Sequence, residues 1–305
     1  MAGFLEGKNV AITGAGSGIG KAIALACGAA GARVVVADYG VAMDGSDPKS
    51  DVADGVVAEI TSAGGTAVAV AGDVSRMEVG QQIVDTAVNT WGSIDGVVCV
   101  AGILRERMLF NMSEEEWDDV VRVHLKGTFT VFRAAMAVMR KQPTGGALIG
   151  FTSGAFIGST AQANYAAAKG GIISLAKSAA LTGLRYNVSA NCIAPVAKTR
   201  MSDAVPFGIE MGMPEDIAPM VMYLLSDEGR SVNGQVYTCV GSRISVWNQP
   251  LEVRSMFAPG ERWTPEQIAE ALPRTIKQEE HPFLAEMERR MKQIEARKTE
   301  AGTGS

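Results

Sequence analysis

The segment 10–20, with the sequence VAITGAGSGIG, joins a short apolar run directly to a glycine-rich turn. The run is typical of a buried strand, and residues 18–31 carry small and apolar side chains at helical spacing. Glycines let a backbone turn tightly and approach a pyrophosphate, which the positive N-terminal end of the following helix attracts. The segment therefore predicts a nucleotide cradle, with cofactor contacts from Gly14, Ser17, Gly18, Ile19 and Gly20.

Short apolar runs alternate with helical stretches along most of the chain, which is the pattern of a parallel sheet with crossover helices. The runs are nearly continuous in β-branched and apolar residues, as in strands that are covered on both faces. The pattern predicts an α/β fold of the Rossmann-like, doubly wound type with a seven-stranded parallel sheet. Strands are expected at 10–13, 33–38, 67–70, 96–100, 147–151, 188–193 and 235–240.

Two segments depart from this alternation. Residues 40–54 are rich in Gly, Asp, Ser and Pro and are expected to form a loop after the second strand. From residue 243 onward the alternation ends, so residues 1–242 are expected to form the dinucleotide-binding domain and 243–305 a helical C-terminal extension. The sequence Thr264-Pro265-Glu266-Gln267 predicts the start of a helix there. Oligomerisation and closure over the active site are both open as roles of the extension.

The composition is that of a globular protein, with 305 residues of which 47% are hydrophobic and 20% charged. The net charge of −5 argues against nucleic acid as a main partner. No apolar run approaches the roughly 20 residues that a membrane span needs. The four cysteines stand apart in apolar runs without a Cys/His cluster, so neither a metal site nor a disulfide framework is predicted. Reduced thiols in a cytoplasmic protein are the expectation.

Two acidic residues that follow predicted strands bear on the choice of cofactor. Asp38 ends the second strand, roughly 20 residues after the glycine-rich turn. A carboxylate there accepts hydrogen bonds from an adenosine ribose and repels a 2′-phosphate, which favours NAD over NADP. Asp73 follows the third strand, where it is expected either to bond the adenine amino group beside the backbone of Val74 or to serve as a helix N-cap.

Tyr165 and Lys169 give the strongest catalytic signal. Positions i and i+4 of a helix lie on one face, one turn apart. An ammonium group held there is expected to lower the pKa of the phenol, since a nearby positive charge favours the phenolate. A phenol that releases and recovers a proton near neutral pH is a general acid/base. Beside a nucleotide cradle, it indicates hydride transfer at a carbinol carbon.

The combination resembles the short-chain dehydrogenase/reductase family over about residues 5–242. The glycine-rich turn, Asp38, Ala101-Gly102, the Tyr165/Lys169 pair and Pro195 stand in the family's order and spacing. Within the family, the chain looks most like the dehydrogenase domain of peroxisomal multifunctional enzymes and related bacterial 3-hydroxyacyl-CoA or 17β-hydroxysteroid dehydrogenases. This narrower likeness rests on the loop 40–54 and on the motifs at 123–129, 162–165 and 191–195.

The resemblance implies roles for the catalytic residues. Tyr165 would take the hydroxyl proton, Lys169 would lower its pKa and bond the nicotinamide ribose, and Ser153 would hold the substrate oxygen. The position of the family's serine falls on Thr152, so either hydroxyl fits the role, although the residues that follow favour Ser153. His124 stands where many relatives carry an asparagine that supports a proton-relay water, and it is either part of such a relay or a structural histidine.

The resemblance also implies cofactor contacts at the ends of two further strands. Thr199 would hold the nicotinamide carboxamide, with Ile193 and Val196 packing nearby. Two family residues are replaced here, an asparagine after the fourth strand by Val100 and a glycine after the proline by Val196. The remaining contacts are expected from Ala101, Gly102, Tyr165, Lys169, Pro195 and Val196.

Substrate specificity in this family resides in the segment after the sixth strand, here residues 200–213. The segment is short, apolar and rich in Met, which suits a flexible lid over a hydrophobic substrate. Phe156, Ile157 and Phe207 are expected either to line an apolar pocket or to pack in the core beneath a loop.

The leading expectation is an NAD-dependent enzyme that interconverts a secondary alcohol and a ketone on a 3-hydroxyacyl-CoA or steroid-derived substrate. Arg105 and Arg107 follow the fourth strand and are expected either to attract a CoA phosphate or to be solvated rim charges. An NADPH-dependent 3-oxoacyl-thioester reductase is the alternative among enzymes, although no basic residue adjoins Asp38. A non-catalytic nucleotide-binding scaffold is the alternative of another class, against which Tyr165 and Lys169 argue.

Relatives in this family usually assemble as dimers or tetramers through the helices that follow the fourth and fifth strands. The segment 112–139 predicts such a helix with apolar residues on more than one face, consistent with burial in a homodimer or homotetramer. The expected partners are therefore a small-molecule substrate and further copies of the chain, with no membrane and no nucleic acid.

Overall fold

The structure of the protein is a computed structural model. It describes residues 3–49, 51–199, 211–276, 284, 287–289 and 291–293. The chain divides into two compact units, Met1–Trp247 and Asn248–Ser305. The first unit contains the β-sheet.

Eight strands form this sheet: β1 Asn9–Thr13, β2 Arg33–Asp38, β3 Thr66–Ala71, β4 Gly96–Cys99, β5 Gly146–Phe151, β6 Val188–Pro195, β7 Val236–Val240 and β8 Arg243–Val246. Their order is β3-β2-β1-β4-β5-β6-β7-β8. The first seven are parallel, and the strand order reverses beside β1, which is the topology of a doubly wound fold. The predicted Rossmann-like α/β fold is confirmed.

Strand β8 corrects the prediction of seven strands. It pairs antiparallel with β7, with Tyr237 opposite Val246. Between the two strands lies a tight turn in which Gly241 takes a φ of +50°. An alternation of strands and helices does not reveal such a strand, whereas a short glycine-containing turn between apolar runs signals a hairpin.

Helices cover the two faces of the sheet. In the first unit they are α1 Gly18–Ala29, α2 Val52–Ser62, α3 Met77–Trp91, α4 Glu114–Val121, α5 Gly127–Met139, α6 Ala163–Gly183 and α7 Ala218–Leu225. The helix predicted over 112–139 is divided, because α4 and α5 are joined by a π-helical turn at Arg122–Lys126. In the second unit, α8 Pro265–Ala271 begins with the capping box expected there, in which the Gln267 N–H donates to the Thr264 hydroxyl.

Alternate residues of each central strand enter two apolar layers, one on each face of the sheet. Ile12 of β1 belongs to a buried cluster with Ile23 of α1. Its neighbour Ala11 belongs to the opposite cluster, together with Ile83 of α3. Strands β1 and β5 are buried along their whole length, which explains why their sequences are continuous apolar runs.

The four cysteines are buried, free thiols. Burial raises the pKa of Cys27 to about 12 and that of Cys239 to about 11, so these thiols stay protonated near neutral pH. Among the described residues, no group of His, Cys, Asp or Glu side chains is arranged to hold a metal ion. A search of the same residues also finds no helix with the length and apolar character needed to cross a membrane.

Trp247 secures the end of the β7–β8 hairpin within the first unit. Its backbone N–H donates to the Val236 carbonyl at 2.9 Å, and its indole N–H donates to the Thr238 hydroxyl at 2.8 Å. The indole also meets the ring of Phe156 edge-on, with the ring centroids 4.7 Å apart. The hairpin is thereby tied to the turn that follows β5.

Replacing Trp247 by Ala is expected to lower the free energy of unfolding by about 2–4 kcal/mol, because a large packed side chain and a hydrogen bond are lost. Denaturant unfolding followed by far-UV circular dichroism measures the change. Phe110→Ala is the control, since Phe110 is 78% exposed and its loss should cost less than about 0.5 kcal/mol. Equal effects of the two substitutions would contradict the packing described for Trp247.

Candidate active site

The carboxyl ends of the parallel strands meet at one edge of the sheet, where ligands bind in folds of this kind. This edge brings together the glycine-rich turn after β1, Asp38 at the end of β2, Asp73 after β3 and Ser153 after β5. Tyr165 reaches the same edge from α6, close enough to the Ser153 side chain to interact with it. The topology therefore assembles both the predicted cofactor residues and the predicted catalytic residues.

The glycine-rich turn has the geometry of a phosphate cradle. Gly14 has a φ of +67° and lies so close to the Ala101 backbone that a side chain would collide with it. A side chain on Gly16 would collide with the Asp38 carboxylate. Helix α1 begins at Gly18, which places its first-turn N–H groups, the ones without partners inside a helix, beside the turn. The cradle is open because glycines occupy these positions.

Two backbone N–H groups fix the carboxylate of Asp38. The Gly16 N–H donates to Oδ2 at 2.7 Å, and the Gly40 N–H donates to Oδ1 at 2.6 Å. Each carboxylate oxygen can accept a second hydrogen bond. Asp38 is thus a preoriented acceptor at the rim of the cradle, where the sequence places the ribose.

A cavity of about 530 Å³ extends from the cradle along this edge of the sheet. The predicted cofactor residues that line it are Gly14, Ser17, Gly18, Ile19, Gly20, Asp38, Asp73, Val74, Ala101, Gly102 and Thr199. Four predicted contacts, from Tyr165, Lys169, Pro195 and Val196, are not among the residues that line the cavity. Lining residues that the sequence analysis missed include Tyr39 to Met43, Gly45, Asp47, Lys49, Asp119, Arg122 and Val123.

The loop after β2 supplies many of the missed residues. It bends across the cavity to the segment that follows β4, where the Leu104 N–H donates to the Met43 carbonyl at 2.9 Å. Gly45, with a φ of +92°, packs closely enough on Ile103 that a side chain there would be in tight contact. The clustered glycines and aspartates signalled a loop, but the direction in which it folds depends on these distant contacts.

Two hydrogen bonds that involve Lys169 join α6 to the end of β5. The Nζ of Lys169 donates to the Phe151 carbonyl at 2.7 Å, and the Thr152 hydroxyl donates to the Lys169 carbonyl at 2.9 Å. Lys169 Nζ lies 5.3 Å from the centroid of the Tyr165 ring. The predicted placement of Tyr165 and Lys169 on one face of a helix is therefore observed, and the Thr152 hydroxyl is engaged with the backbone.

Ser153, rather than Thr152, presents its hydroxyl to Tyr165. The two side chains are close enough to interact, and the Ser153 hydroxyl favours the ionised form of the phenol. The Ser153 hydroxyl also accepts the Ala155 N–H at 3.2 Å, in a 3₁₀ turn over Gly154–Ile157. This turn holds the backbone at Ser153 in place. The Ser153 hydroxyl therefore lies near Tyr165, whereas the Thr152 hydroxyl, its alternative in the sequence analysis, is bonded to the backbone.

Burial shifts the pKa values of Tyr165 and Lys169 toward their neutral forms. It raises the pKa of the Tyr165 phenol to about 12, and the Ser153 hydroxyl opposes that rise. Burial also lowers the pKa of Lys169 to about 7. Burial of the phenol thus acts against the lowered tyrosine pKa that the spacing predicts.

His124 is buried beside the catalytic tyrosine. Its Nε2 lies 2.8 Å from the Ile103 carbonyl and 3.1 Å from the Ile103 N–H, and its ring meets the Tyr165 ring edge-on at 5.1 Å. Burial, together with the charge of Lys169, holds the pKa of His124 well below its usual range. A side chain on Gly102 would overlap the imidazole. His124 is thus a neutral, closely packed side chain.

Asn164 is a site residue that the sequence analysis did not single out. It is almost fully buried, and its side-chain oxygen accepts the Tyr165 N–H at 2.8 Å. Its amide group donates to the carbonyls of Arg105 at 3.0 Å and of Glu116 at 2.8 Å. One side chain thereby ties the start of α6 to α4 and to the segment after β4. In the sequence, the one feature that marks Asn164 is its position next to Tyr165.

The structure limits what Asp73 and the two rim arginines can do. Asp73 is not a helix N-cap, since α3 begins at Met77. Arg105 donates to Asp119 at 3.0 Å, and Arg107 lies 3.0 Å from a carboxylate oxygen of Glu116. Both guanidinium groups are thus paired with carboxylates of α4. This pairing supports the interpretation of Arg105 and Arg107 as rim charges over a role in attracting a CoA phosphate.

The predicted substrate residues are only partly described. Phe156 packs edge-on against Trp247, and Ile157 ends the same 3₁₀ turn. Phe207 and the rest of 200–210 lie outside the described residues. Phe156 and Ile157 do not line the cavity described above.

Comparison with known proteins identifies the family. A family model described as enoyl-(acyl carrier protein) reductase matches residues 14–241. The chain belongs to the short-chain dehydrogenase/reductase family, whose dehydrogenases use the nicotinamide cofactors NAD or NADP.

Individual relatives agree with that membership. Hydroxyacyl-CoA dehydrogenase ChsB1 from Mycobacterium tuberculosis is 41% identical over 285 residues, covering 88% of each chain. Peroxisomal multifunctional enzyme type 2 of Mus musculus is 44% identical over 221 residues, which are 72% of this chain and 30% of that larger enzyme. The crystal structure of a short chain dehydrogenase from Mycobacterium avium has a TM-score of 0.81 and 42% identity, over 90% of this chain and 96% of the other.

The lowered pKa of Lys169 predicts a pH-dependent stability of the ligand-free protein. The folded protein releases this proton near pH 7, while the unfolded chain keeps it up to about pH 10.5. Stability therefore rises with pH between these values and is lost as pH falls through 7. From pH 7 to pH 9, the free energy of unfolding should rise by about 2 kcal/mol relative to Lys169→Met. Parallel stability curves for the two proteins would mean that Lys169 keeps an ordinary pKa.

Proposed function

We propose that the protein is an NAD-dependent oxidoreductase that interconverts a secondary alcohol and a ketone, with Tyr165 as the general acid/base. The observation that carries this proposal is the approach of the Ser153 side chain to Tyr165, with Lys169 one helical turn away, at the same edge of the sheet as an open phosphate cradle. A phenol, a serine hydroxyl and an amine in this arrangement suit proton transfer to and from a substrate oxygen.

The residues present fit a nicotinamide dinucleotide. Side chains at Gly14 and Gly16 would fill the cradle, and both positions are glycines. Ile19 and Thr199 line the same cavity, and the ribose acceptor Asp38 is held at its rim. When bound, the nicotinamide ring accepts or donates the hydride.

Proton movement is assigned to this chain's own side chains. Ser153 holds the substrate oxygen by a hydrogen bond and orients it toward Tyr165. In alcohol oxidation the hydroxyl proton passes to the Tyr165 oxygen, and in ketone reduction it returns from there to the substrate. Lys169 has a pKa of about 7, so near neutrality it is present in both forms. Its charged form favours the phenolate of Tyr165.

His124 is assigned an orienting role in this scheme. Its low pKa keeps it neutral, and its contacts run to the Ile103 backbone and to the ring of Tyr165. An imidazole packed in this way restricts the tilt of the phenol without exchanging a proton. The same contacts support the structural alternative over the relay alternative.

NAD is the proposed cofactor because Asp38 is a fixed anion where NADP would carry its 2′-phosphate. One observation favours the runner-up, an NADPH-dependent 3-oxoacyl-thioester reductase. Lys49 lines the same cavity as Asp38, although it stands eleven positions away from it in the sequence. The two side chains therefore have to be tested against each other.

The proposed substrate is a 3-hydroxyacyl-CoA, with a steroid-derived alcohol as the second choice. Support comes from the relative named as a hydroxyacyl-CoA dehydrogenase, which matches this chain over most of its length. Arg105 and Arg107 are paired with carboxylates, so no role in holding a CoA phosphate is assigned to them.

A homodimer or homotetramer is part of the proposal. Large apolar side chains are exposed on the helices through which relatives associate: Phe129 of α5, Leu181 of α6 and Leu184 directly after it. A cytoplasmic location is also part of the proposal, because the four cysteines are free thiols, as is usual in a reducing compartment.

Tyr165→Phe is expected to reduce turnover of a 3-hydroxyacyl-CoA with NAD by about 10²–10⁴-fold, because the acid/base hydroxyl is lost. Binding of NADH, followed by nicotinamide fluorescence, should change less than about twofold. Tyr223→Phe, which removes a partly exposed hydroxyl elsewhere, is the matched control. Turnover by Tyr165→Phe above about one per cent of the wild-type rate would remove Tyr165 from its assigned role.

Asp38→Ala is expected to reduce the preference for NADH over NADPH by about tenfold or more, since a repulsion of roughly 1.4 kcal/mol or more disappears. The two dissociation constants, measured by fluorescence, give the preference. Asp54→Ala removes an exposed carboxylate of α2 and should leave the preference unchanged. A wild-type preference for NADPH that depends on Lys49 would replace the NAD proposal with the reductase alternative.

A further inference from the structure

The charged side chains that line the cavity proposed for the cofactor are mainly acidic. Asp38, Asp47, Asp73 and Asp119 line it, whereas in the described part of the chain Lys49 and Arg122 are its basic lining residues. A nicotinamide dinucleotide carries a negatively charged pyrophosphate. Like charges repel over several ångströms, so this cavity must compensate its own charge before such a ligand binds.

One guanidinium group holds two of these four carboxylates. Arg122 donates from Nη1 to Asp73 Oδ2 at 2.6 Å and to the Ser75 hydroxyl at 2.7 Å. From Nη2 it donates to Asp119 Oδ1 at 3.1 Å. Asp73 follows β3 and Asp119 belongs to α4, so a single side chain joins two separate walls of the cavity.

The Asp73 carboxylate is ionised and has a fixed orientation. Although burial opposes it, hydrogen bonds from Ser75 and the charge of Arg122 hold the pKa of Asp73 below its usual value. The Ser75 N–H donates to Oδ1 at 2.9 Å, while Arg122 binds Oδ2. Without Arg122, the Asp73 carboxylate would remain charged in the cavity wall, and Ser75 would be its remaining hydrogen-bond partner.

We propose that Arg122 is the positioning and charge-balancing residue of the cofactor site. By pairing with Asp73 and Asp119, it removes the repulsion that these carboxylates would exert on an anionic dinucleotide, and it holds Asp73 in place for the adenine amino group. The inference rests on the proposed use of a nicotinamide dinucleotide. Arg122 begins the π-helical turn that also carries His124, and π-helical turns often occur at functional sites.

The test is the salt dependence of NADH binding by Arg122→Met. Its dissociation constant should rise about tenfold over wild type at roughly 0.02 M ionic strength and only about twofold at roughly 0.5 M, because salt screens the uncompensated carboxylates. A purely structural loss would weaken binding equally at both salt concentrations. Arg76→Met is the matched control, since Arg76 also pairs with a carboxylate, that of Glu78, but does not line the cavity. It should change binding less than about twofold.

A second substitution separates charge from structure. Asp119→Asn in the Arg122→Met background returns the net charge of the cavity wall to its wild-type value, and it should restore NADH binding to within about threefold of wild type at low salt. The double variant lacks the excess negative charge of Arg122→Met, so it is the protein to measure if the single variant does not fold. Failure of the double variant to bind NADH more tightly than Arg122→Met, or to bind near wild type if the single variant does not fold, would overturn the inference.

The outcomes also separate this inference from the proposed function. Weakened binding by Arg122→Met that does not depend on salt, or an equal effect of Arg76→Met, would overturn the role of Arg122 alone. If the wild-type protein binds neither NADH nor NADPH, the cofactor proposal and this inference fall together.

Discussion

The reciprocal hydrogen bonds between the end of β5 and helix α6 constrain the rest of the catalytic arrangement. The amine of Lys169 donates to the carbonyl of Phe151, and the hydroxyl of Thr152 donates to the carbonyl of Lys169. The last residue of β5 and the residue after it thus bind one helical residue, at its side-chain amine and at its backbone carbonyl. Rotation or sliding of α6 against β5 would break both bonds. The relation between Tyr165, one turn earlier, and Ser153, one residue later, follows from this restraint.

The same region removes ionisable groups from water without pairing them with opposite charges. Lys169, Tyr165 and His124 are each shifted toward the neutral state by burial. Backbone carbonyls at Phe151 and Ile103 are the polar partners on which this arrangement depends. A neutral site of this kind responds strongly to any charge that enters it, since a low-dielectric surrounding magnifies the interaction.

The sequence was sufficient where periodicity or local turn chemistry determines structure. The parallel strands are short apolar runs that alternate with helical stretches, so the sequence predicts all seven, and the spacing of Tyr165 and Lys169 predicts their shared helix face. Strand β8 was missed because a hairpin breaks the strand–helix alternation on which the prediction relied. The contacts of Asn164 and Arg122 join segments far apart in the chain, and such contacts have no periodic signal. The pKa of Tyr165 depends on burial, which spacing alone does not reveal.

The π-helical turn between α4 and α5 has a geometric consequence for the long helical segment. A π-helical turn adds one residue to a helix, and each residue of an α-helix advances the direction of the side chain by about 100°. An unbroken helix over the same stretch would therefore point Arg122 and the residues before it in a different direction relative to α5. Deleting a single residue between Arg122 and Lys126 would remove the additional residue and close the turn into an ordinary α-helical one, with both halves keeping their relative direction. The π-helical turn thus lets the segment carry one more residue while α4 and α5 keep their faces toward the rest of the fold.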